Sequence, residues 1–340
     1  MRKSVLAAAA LSVAMLLPMA GTASSQPFRL ITTDLEAQLV PNSVMDLAVT
    51  LGYFEDEGVE VELVRVQQTP SAVAALQAGD GDMANISVDA ALQLVARDQM
   101  QLKAVLSPNK SLPFLIAAKD SIASPADLVG KSFGVGRVGS LDHSLSSSVL
   151  RSQGVDPEQI DFVAIGQPNV RGQALAAGQI DATTMSIGVW MSLPDKTGLR
   201  VLVDQSDYYA GAPVVNKVNV VTDAVLADKA DQVAAVTRAI VKASRDFAAD
   251  PGAWVDAMVE ARPDVERATL EALAESFVAS WSVNGGLNRE ELENTVAWTY
   301  EGPDFQDLRR VELDEWVDFS IVEGVLDEVG VAPDNDQPSF

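Results

Sequence analysis

Residues 76–87 read LQAGDGDMANIS, and residues 175–186, at an offset of 99, read LAAGQIDATTMS. The two stretches share leucine, alanine, glycine, aspartate and serine at the same spacing. In each stretch a helix is predicted to end at the glycine, because glycine readily adopts the positive φ of a helix C-terminus. A strand that ends at the serine follows, and a second helix comes after it. We interpret the similarity as a duplicated structural unit.

The flanking segments extend this correspondence. Predicted helices at 41–52 and 140–153 are each followed by an alternating strand, at 59–66 and 160–165. Each unit therefore alternates strand and helix, which is typical of a mainly parallel sheet flanked by helices. After about residue 222 the apolar spacing is helical. The expected fold class is α/β, with two lobes and a helical C-terminal section.

Composition excludes several classes of site. The 340 residues contain 48 acidic and 24 basic side chains, one histidine and no cysteine. A disulfide framework, a thiolate metal site and a cysteine nucleophile are excluded, as is a multi-histidine metal cluster. The net charge of −24 disfavours nucleic acid and anionic lipid as partners. We expect no cofactor and no catalytic constellation.

Residues 1–25 have the pattern of a secretory signal peptide. Arg2 and Lys3 precede an apolar stretch from Val5 to Leu17, which is short for a membrane span, and small residues then supply a cleavage region. No later apolar run reaches about 18 residues, so we expect a secreted protein whose mature chain is soluble.

The loops at the carboxyl ends of the predicted strands are the candidate binding site. Ligands of open parallel sheets bind there, and two facing lobes would form a cleft. Our candidate ligand-binding residues are Asn42, Ser43, Thr69, Ser87, Gly139, Ser140, His143, Asn169, Arg171, Ser186, Trp190 and Tyr209. Helix capping is the alternative role for the hydroxyl and amide side chains.

Arg171 aligns with Ala72 in the repeat, and a cation in the first turn of a helix is unfavourable to the helix dipole. An anionic ligand would explain it, and so would pairing with an acidic neighbour. Trp190 and Tyr209 could stack on a flat ligand or pack in a core.

Three other features do not indicate a ligand site. Residues 134–139 satisfy G-x-G-x-x-G, but the first repeat lacks this pattern, which argues against a dinucleotide site. Gly130-Lys131-Ser132 lacks the first glycine of a phosphate loop. Asp80 and Asp82 are expected to form a solvated turn at the far strand end.

Four segments resemble one known family in the correct order. They are LGYFEDEGVEV at 51–61, ALQAGDGD at 75–82, DLVGK followed by FGV at 127–135, and VNVV at 218–221. The chain thereby resembles the periplasmic solute-binding proteins of ABC importers that take aliphatic sulfonates, taurine, nitrate or thiamine pyrimidine precursors. The similarity covers roughly residues 28–260.

The resemblance implies a type II binding-protein fold that closes by hinge motion on a small solute and delivers it to a membrane permease. The first lobe would comprise residues 26–112 and 206–333, the second 113–205, and 334–340 a flexible tail. The alternative is a secreted enzyme of this fold, acting on a pyrimidine-like or carboxylate metabolite. The family's thiamine-pyrimidine synthases carry a cysteine-rich iron motif, which this chain lacks. A sensor module is a third hypothesis.

Overall fold

The computed structural model describes residues 26–109, 114–212, 214–277, 280–333 and 336–340. The predicted signal peptide, residues 1–25, lies outside them. Two five-stranded sheets form the centres of two lobes.

The first sheet has the order β2-β1-β3-β10-β4 and the second the order β7-β6-β8-β5-β9. The strands of the first lobe are β1 Phe28–Thr32, β2 Val61–Arg65, β3 Met83–Ser87, β4 Leu102–Leu106 and β10 Lys217–Thr222. Those of the second lobe are β5 Phe114–Lys119, β6 Ser132–Val135, β7 Asp161–Ala164, β8 Ala182–Ser186 and β9 Leu199–Val203.

The helices alternate with the strands up to β10 and then dominate the chain. The helices are α1 Val44–Thr50, α2 Tyr53–Asp56, α3 Thr69–Ala78, α4 Val88–Ala96, α5 Leu141–Ser152, α6 Pro168–Ala176, α7 Ile187–Ser192, α8 Gln205–Gly211, α9 Asp223–Ala249, α10 Pro251–Ala261, α11 Arg267–Phe277, α12 Arg289–Thr299, α13 Leu313–Trp316 and α14 Ser320–Val329. The α/β prediction and the helical C-terminal section are confirmed.

Each sheet is mixed because the lobes exchange one strand. In the first sheet β10 is antiparallel to β3 and β4, and in the second β5 is antiparallel to β8 and β9. The remaining four strands of each sheet share one direction. Strand β5 follows the first crossover and β10 follows the second, so each lobe is completed by the strand that enters from the other lobe.

The duplicated motif has one structural role in both lobes. The backbone amide of Asp82 donates to the Arg29 carbonyl at 2.8 Å, and the Asp82 carboxylate accepts the Arg29 amide at 2.8 Å. In the second lobe Asp181 forms the same two-way contact with Ser132, with both distances at 3.1 Å. This aspartate clasp ties the turn before β3 or β8 to the start of the neighbouring strand β1 or β6.

A lysine neutralises each clasp. Lys229 lies 2.9 Å from the Asp82 carboxylate, and Lys119 lies 2.8 Å from that of Asp181. Asp82 is buried. The expectation that it lies in a solvated turn is wrong, because the turn packs against the strand that the aspartate holds.

Helix α8 corrects the expected boundary between the lobes. It packs on α5 and β5, and its Tyr208 is buried in the core of the second lobe. We therefore assign residues 205–212 to the second lobe and place the return to the first lobe after Ala212, rather than at 206.

The C-terminal end also differs from the expected flexible tail. Asp336 is buried and its carboxylate accepts the amides of Asn284 and Gly286, at 2.7 and 3.1 Å. Ser339 forms a bridge with Asn288. These contacts fasten residues 336–340 to the helical section. Among the described residues, no helix is long and apolar enough to cross a bilayer.

We predict that Asp82→Ala lowers the free energy of unfolding by about 2–3 kcal/mol, because the Arg29 amide and the Lys229 ammonium lose a charged partner. Chemical denaturation measures this change. Asp80→Ala is the matched control, because Asp80 is exposed in the same turn. Equal stability of the two variants would contradict a structural role for the clasp.

Candidate ligand-binding cleft between the lobes

The carboxyl edges of the two sheets face each other and are in contact. Gln167 at the start of α6 donates to Gln68 at the start of α3 across the lobes, at 3.3 Å. Gly188 in α7 packs on Leu39 so closely that a Cβ atom there would lie 2.5 Å from the Leu39 carbonyl oxygen. The loops that the duplication predicted to face one another therefore do so.

A cavity of about 450 Å³ lies between residues of the two lobes. Its first-lobe wall comes from the first turns of α4 and from the end of α12 and the turn after it. Its second-lobe wall comes from the β6–α5 loop, α5 and the segment before β7. The lining side chains that carry charge or an aromatic ring are Asp89, His143, Arg151, Glu158, Phe162, Trp298, Glu301, Asp304 and Phe305.

Two of the predicted ligand residues, Gly139 and His143, line this cavity. The Gly139 amide donates to Nδ1 of His143 at 3.2 Å, and the imidazole stands edge-on to Phe162 with ring centroids 4.4 Å apart. Burial lowers the pKa of His143 below its ordinary value. A neutral ring with Nδ1 occupied leaves Nε2–H as a donor.

Arg171 is buried and fully engaged within the second lobe. Its guanidinium donates to the Thr183 hydroxyl and the Thr184 carbonyl, both at 3.1 Å, and to the Gly166 carbonyl. It also pairs with Asp142 at 3.2 Å. Of the two explanations left open by the sequence, pairing with an acidic neighbour is the one observed in this conformation.

Asp142 of this ion pair also contacts the backbone of the G-x-G-x-x-G segment at 134–139. The Asp142 carboxylate accepts the Gly136 amide at 2.7 Å and a hydrogen bond from the Ser140 hydroxyl. A backbone amide that a dinucleotide phosphate would need is therefore already used.

The first-lobe candidates Asn42 and Ser43 are buried beneath the cleft. Asn42 donates to Asn85 at 3.1 Å, and Asn85 donates to Asn219 at 2.8 Å, forming an amide chain across β3 and β10. Ser43 accepts the indole N–H of Trp254 at 2.9 Å. Both side chains hold the loop after β1 in place.

Several of the other candidates form hydrogen bonds to backbone amides within the same lobe. The Ser186 hydroxyl accepts the Val189 amide, and the Thr69 hydroxyl accepts the amide of Ser87. Asn169 accepts its neighbour's amide. Trp190 is half-buried with the Lys196 ammonium 5.8 Å from its ring centroid, and Tyr209 is half-buried in α8. Ser186 therefore caps the N-terminus of α7, which is the alternative role that we considered for it.

Lys217 is a half-buried cation at the strand ends of the first lobe that sequence reasoning missed. It begins β10 opposite Ser87, and its ammonium donates to the Thr33 hydroxyl just after β1. Among the described side chains no carboxylate forms an ion pair with it within 4.0 Å. Burial lowers its pKa to about 8, and the more distant charge of Asp34 opposes this shift. Lys217 lies at the strand ends only because β10 runs antiparallel, an arrangement that the local sequence does not signal.

Asp89 and Trp298 were missed as well. Asp89 lies in the first turn of α4, where a carboxylate interacts favourably with the helix dipole. Its position in the sequence therefore does not indicate a ligand contact. Trp298 lies in α12, far along the chain from the predicted cleft loops, and only packing brings it to the cavity.

Comparison with known proteins identifies the family. The NMT1/THI5-like family profile matches residues 44–253, which is more than half of the chain and reaches through both lobes. The chain belongs to the NMT1/THI5-like family.

A curated relative of this NMT1/THI5-like chain is the taurine-binding periplasmic protein of Escherichia coli (strain K12). The two are 26% identical over 209 residues, which are 60% of this chain and 62% of that protein. The match thus spans less than two thirds of the relative's length.

Solved structures show the same fold. The ligand-binding component of an ABC-type import system from Staphylococcus aureus has a TM-score of 0.72 at 16% identity, covering 88% of this chain and 99% of that one. The desulfurization enzyme DSZB has a TM-score of 0.64 at 18% identity, covering 89% and 99%. The fold therefore carries both binding proteins and an enzyme.

We predict that Gly188→Ala holds the lobes apart, because the new methyl group would overlap the Leu39 backbone. Small-angle X-ray scattering should show a larger radius of gyration, and thermal stability should change little. Gly324→Ala is the control, because Gly324 lies in α14 and a methyl group added there would meet no atom within 4 Å. An unchanged radius for Gly188→Ala would contradict this contact as a constraint on closure.

For Arg171→Ala we predict a loss of stability of about 3–5 kcal/mol, because Asp142 would keep a charge without its partner. Urea denaturation measures the loss. Arg200→Ala, at an exposed position in β9, is the control. If Arg171→Ala were as stable as the wild type, the buried pair would not be structural.

Proposed function

We propose that this protein is the periplasmic solute-binding component of an ABC import system and captures a small organic solute between its lobes. The proposal is carried by the inter-lobe cavity at the facing strand ends of a chain of the NMT1/THI5-like family. The type II arrangement supports it, because two crossovers joining two rigid sheets permit hinge closure on a ligand.

One cation at the strand ends of the first lobe supports a solute with an anionic group. Lys217 presents an ammonium group that has only the Thr33 hydroxyl as its described hydrogen-bond partner. A half-buried cation without a counter-ion is unfavourable, and a sulfonate or carboxylate would supply the missing charge. Taurine, the ligand in the name of the Escherichia coli relative, is one sulfonate of suitable size.

Partner and location follow from the same proposal. The signal peptide predicted at residues 1–25 would direct the chain to the periplasm, where a membrane permease would receive the solute. We propose that the protein acts as a monomer and needs no cofactor.

A secreted enzyme of this fold is the second candidate, and the specific observation that favours it is the similarity to the enzyme DSZB. One experiment separates the two. Purified protein is titrated calorimetrically with taurine, ethanesulfonate and thiamine pyrimidine precursors, and each bound solute is recovered and identified by mass spectrometry. Unaltered solute supports binding alone, turnover supports the enzyme, and no binding contradicts both.

The affinity for an anionic solute should fall as the pH rises above about 8. Burial holds the pKa of Lys217 near 8, so the ammonium is charged at pH 7 and loses its proton above that value. We expect a decrease of roughly tenfold per pH unit above 8. Titration calorimetry at pH 7, 8, 9 and 9.5 measures this dependence.

Lys217→Met is the matched variant, since methionine keeps most of the side-chain volume. It should bind more weakly at pH 7 and show a flat profile up to pH 9.5. A wild-type profile that is also flat would remove Lys217 from the site.

A further inference from the structure

Trp298 joins the first lobe to the second. It lies in α12, which packs on the core of the first lobe through Leu292 and Val296. Each residue of a helix is rotated by about 100° from the one before it, so Trp298 projects from the opposite side of α12 to Val296. Its ring packs against the core of the second lobe, and its indole N–H donates to the Ser148 hydroxyl of α5 at 3.4 Å. One side chain thus bridges the two lobes.

The same helix holds one of the crossovers between the lobes. The Thr295 hydroxyl accepts the backbone amide of Val215 at 2.9 Å and donates to the carbonyl of Glu291 at 2.6 Å. Thr295 and Val215 are both buried. Val215 lies two residues before β10, in the segment that returns from the second lobe. Helix α12 therefore contacts the first-lobe core, a crossover and the second lobe, which places it to control the angle between the lobes.

The second lobe makes a similar apolar contact in the reverse direction. Ile187 and Met191 of α7 are four residues apart, and hence on one side of the helix, and both pack against the core of the first lobe. Helix α7 also contacts α11 of the first lobe. Each lobe therefore covers apolar side chains of the other. This burial favours the closed arrangement whether or not a solute is bound.

We infer that Trp298 is a positioning residue that holds the cleft closed, so that the closed arrangement is populated before a solute binds. Trp298 also lines the cavity, and it therefore connects closure with the wall that a solute meets. The inference rests on the proposed function, in which closure captures the solute. The apparent affinity of a site falls in proportion to the fraction of molecules that are competent to bind, so a populated closed form strengthens capture.

Double electron–electron resonance measures the distance between the lobes. The chain contains no cysteine, so spin labels on Gln77→Cys and Ala176→Cys are the only labels. Both positions are exposed, in α3 and α6, and the Gln68–Gln167 hydrogen bond joins the starts of these two helices. Opening of the cleft therefore lengthens the distance between the labels.

The labelled wild-type chain tests the inference without any further variant. In the absence of solute we expect mainly the short distance of the closed arrangement. A solute-free distribution that is long, and that becomes short only after taurine or ethanesulfonate is added, would overturn the inference.

Trp298→Ala should move the solute-free distribution to longer distances, because the apolar contact with the second lobe and the hydrogen bond to Ser148 are lost. Trp298→Phe keeps an aromatic ring and should restore most of the short-distance population. Asn294→Ala, at an exposed position of the same helix, is the matched control and should leave the distribution unchanged. Circular dichroism and a melting temperature near that of the wild type establish that each variant is folded. A wild-type distribution for Trp298→Ala would remove Trp298 from this role.

Calorimetric titration with taurine and ethanesulfonate separates this inference from the proposed function. For a probe that the wild type binds, Trp298→Ala should weaken the affinity roughly 5-fold or more, because fewer molecules are closed. Unchanged affinity together with a longer distance would overturn the link between closure and capture. Binding of neither probe by the wild type counts against the proposed anionic solute, whereas the solute-free distances alone decide whether Trp298 holds the lobes together.

Discussion

The aspartate clasp is the contact on which the cleft depends. In each lobe a glycine in the left-handed conformation, Gly79 or Gly178, ends a helix, and the aspartate three residues later exchanges two hydrogen bonds with the start of β1 or β6. This contact fixes where β3 or β8 begins. The strand length then fixes where it ends, and the loop beyond that end is a wall of the cleft. A charged side chain can serve here because a lysine neutralises it in both copies.

The duplication gives both lobes the same order of strands and helices, but their loops differ in sequence. In the second lobe the Arg171–Asp142 pair fills the region beneath the β6 loop, whereas the first lobe has Ala72 at the position of Arg171 and an amide chain that starts at Asn42. These buried polar contacts hold the loops in one conformation. Other positions near the strand ends make contact between the lobes, as Gly188 and Leu39 do. Hinge closure requires rigid lobes whose mutual contacts can change.

The net charge of the whole chain and the single charges near the cleft have different physical consequences. The net charge of −24 concerns solubility and the long-range field. At the strand ends of the first lobe the relevant charge is a single one, the ammonium of Lys217, which forms no ion pair within 4.0 Å among the described side chains. It lies there because β10 is antiparallel to β3 and pairs Lys217 with Ser87.

The sequence by itself determined the duplicated α/β units, the ends of β3 and β8, and the loops that form the cleft, because local periodicity and glycine turns report on neighbours within a few residues. It also placed Gly139 and His143 at the cavity. Only the tertiary structure decided that Asn42, Ser43 and Arg171 are buried supports and that α8 belongs to the second lobe. It also decided that Lys217 lies at the strand ends and that Asp89 and Trp298 line the cavity. The physical reason is that these side chains depend on partners far away in the chain: β10 returns to the first sheet after a complete second lobe, and α12 contacts that lobe through Trp298 and Ser148, which are 150 residues apart.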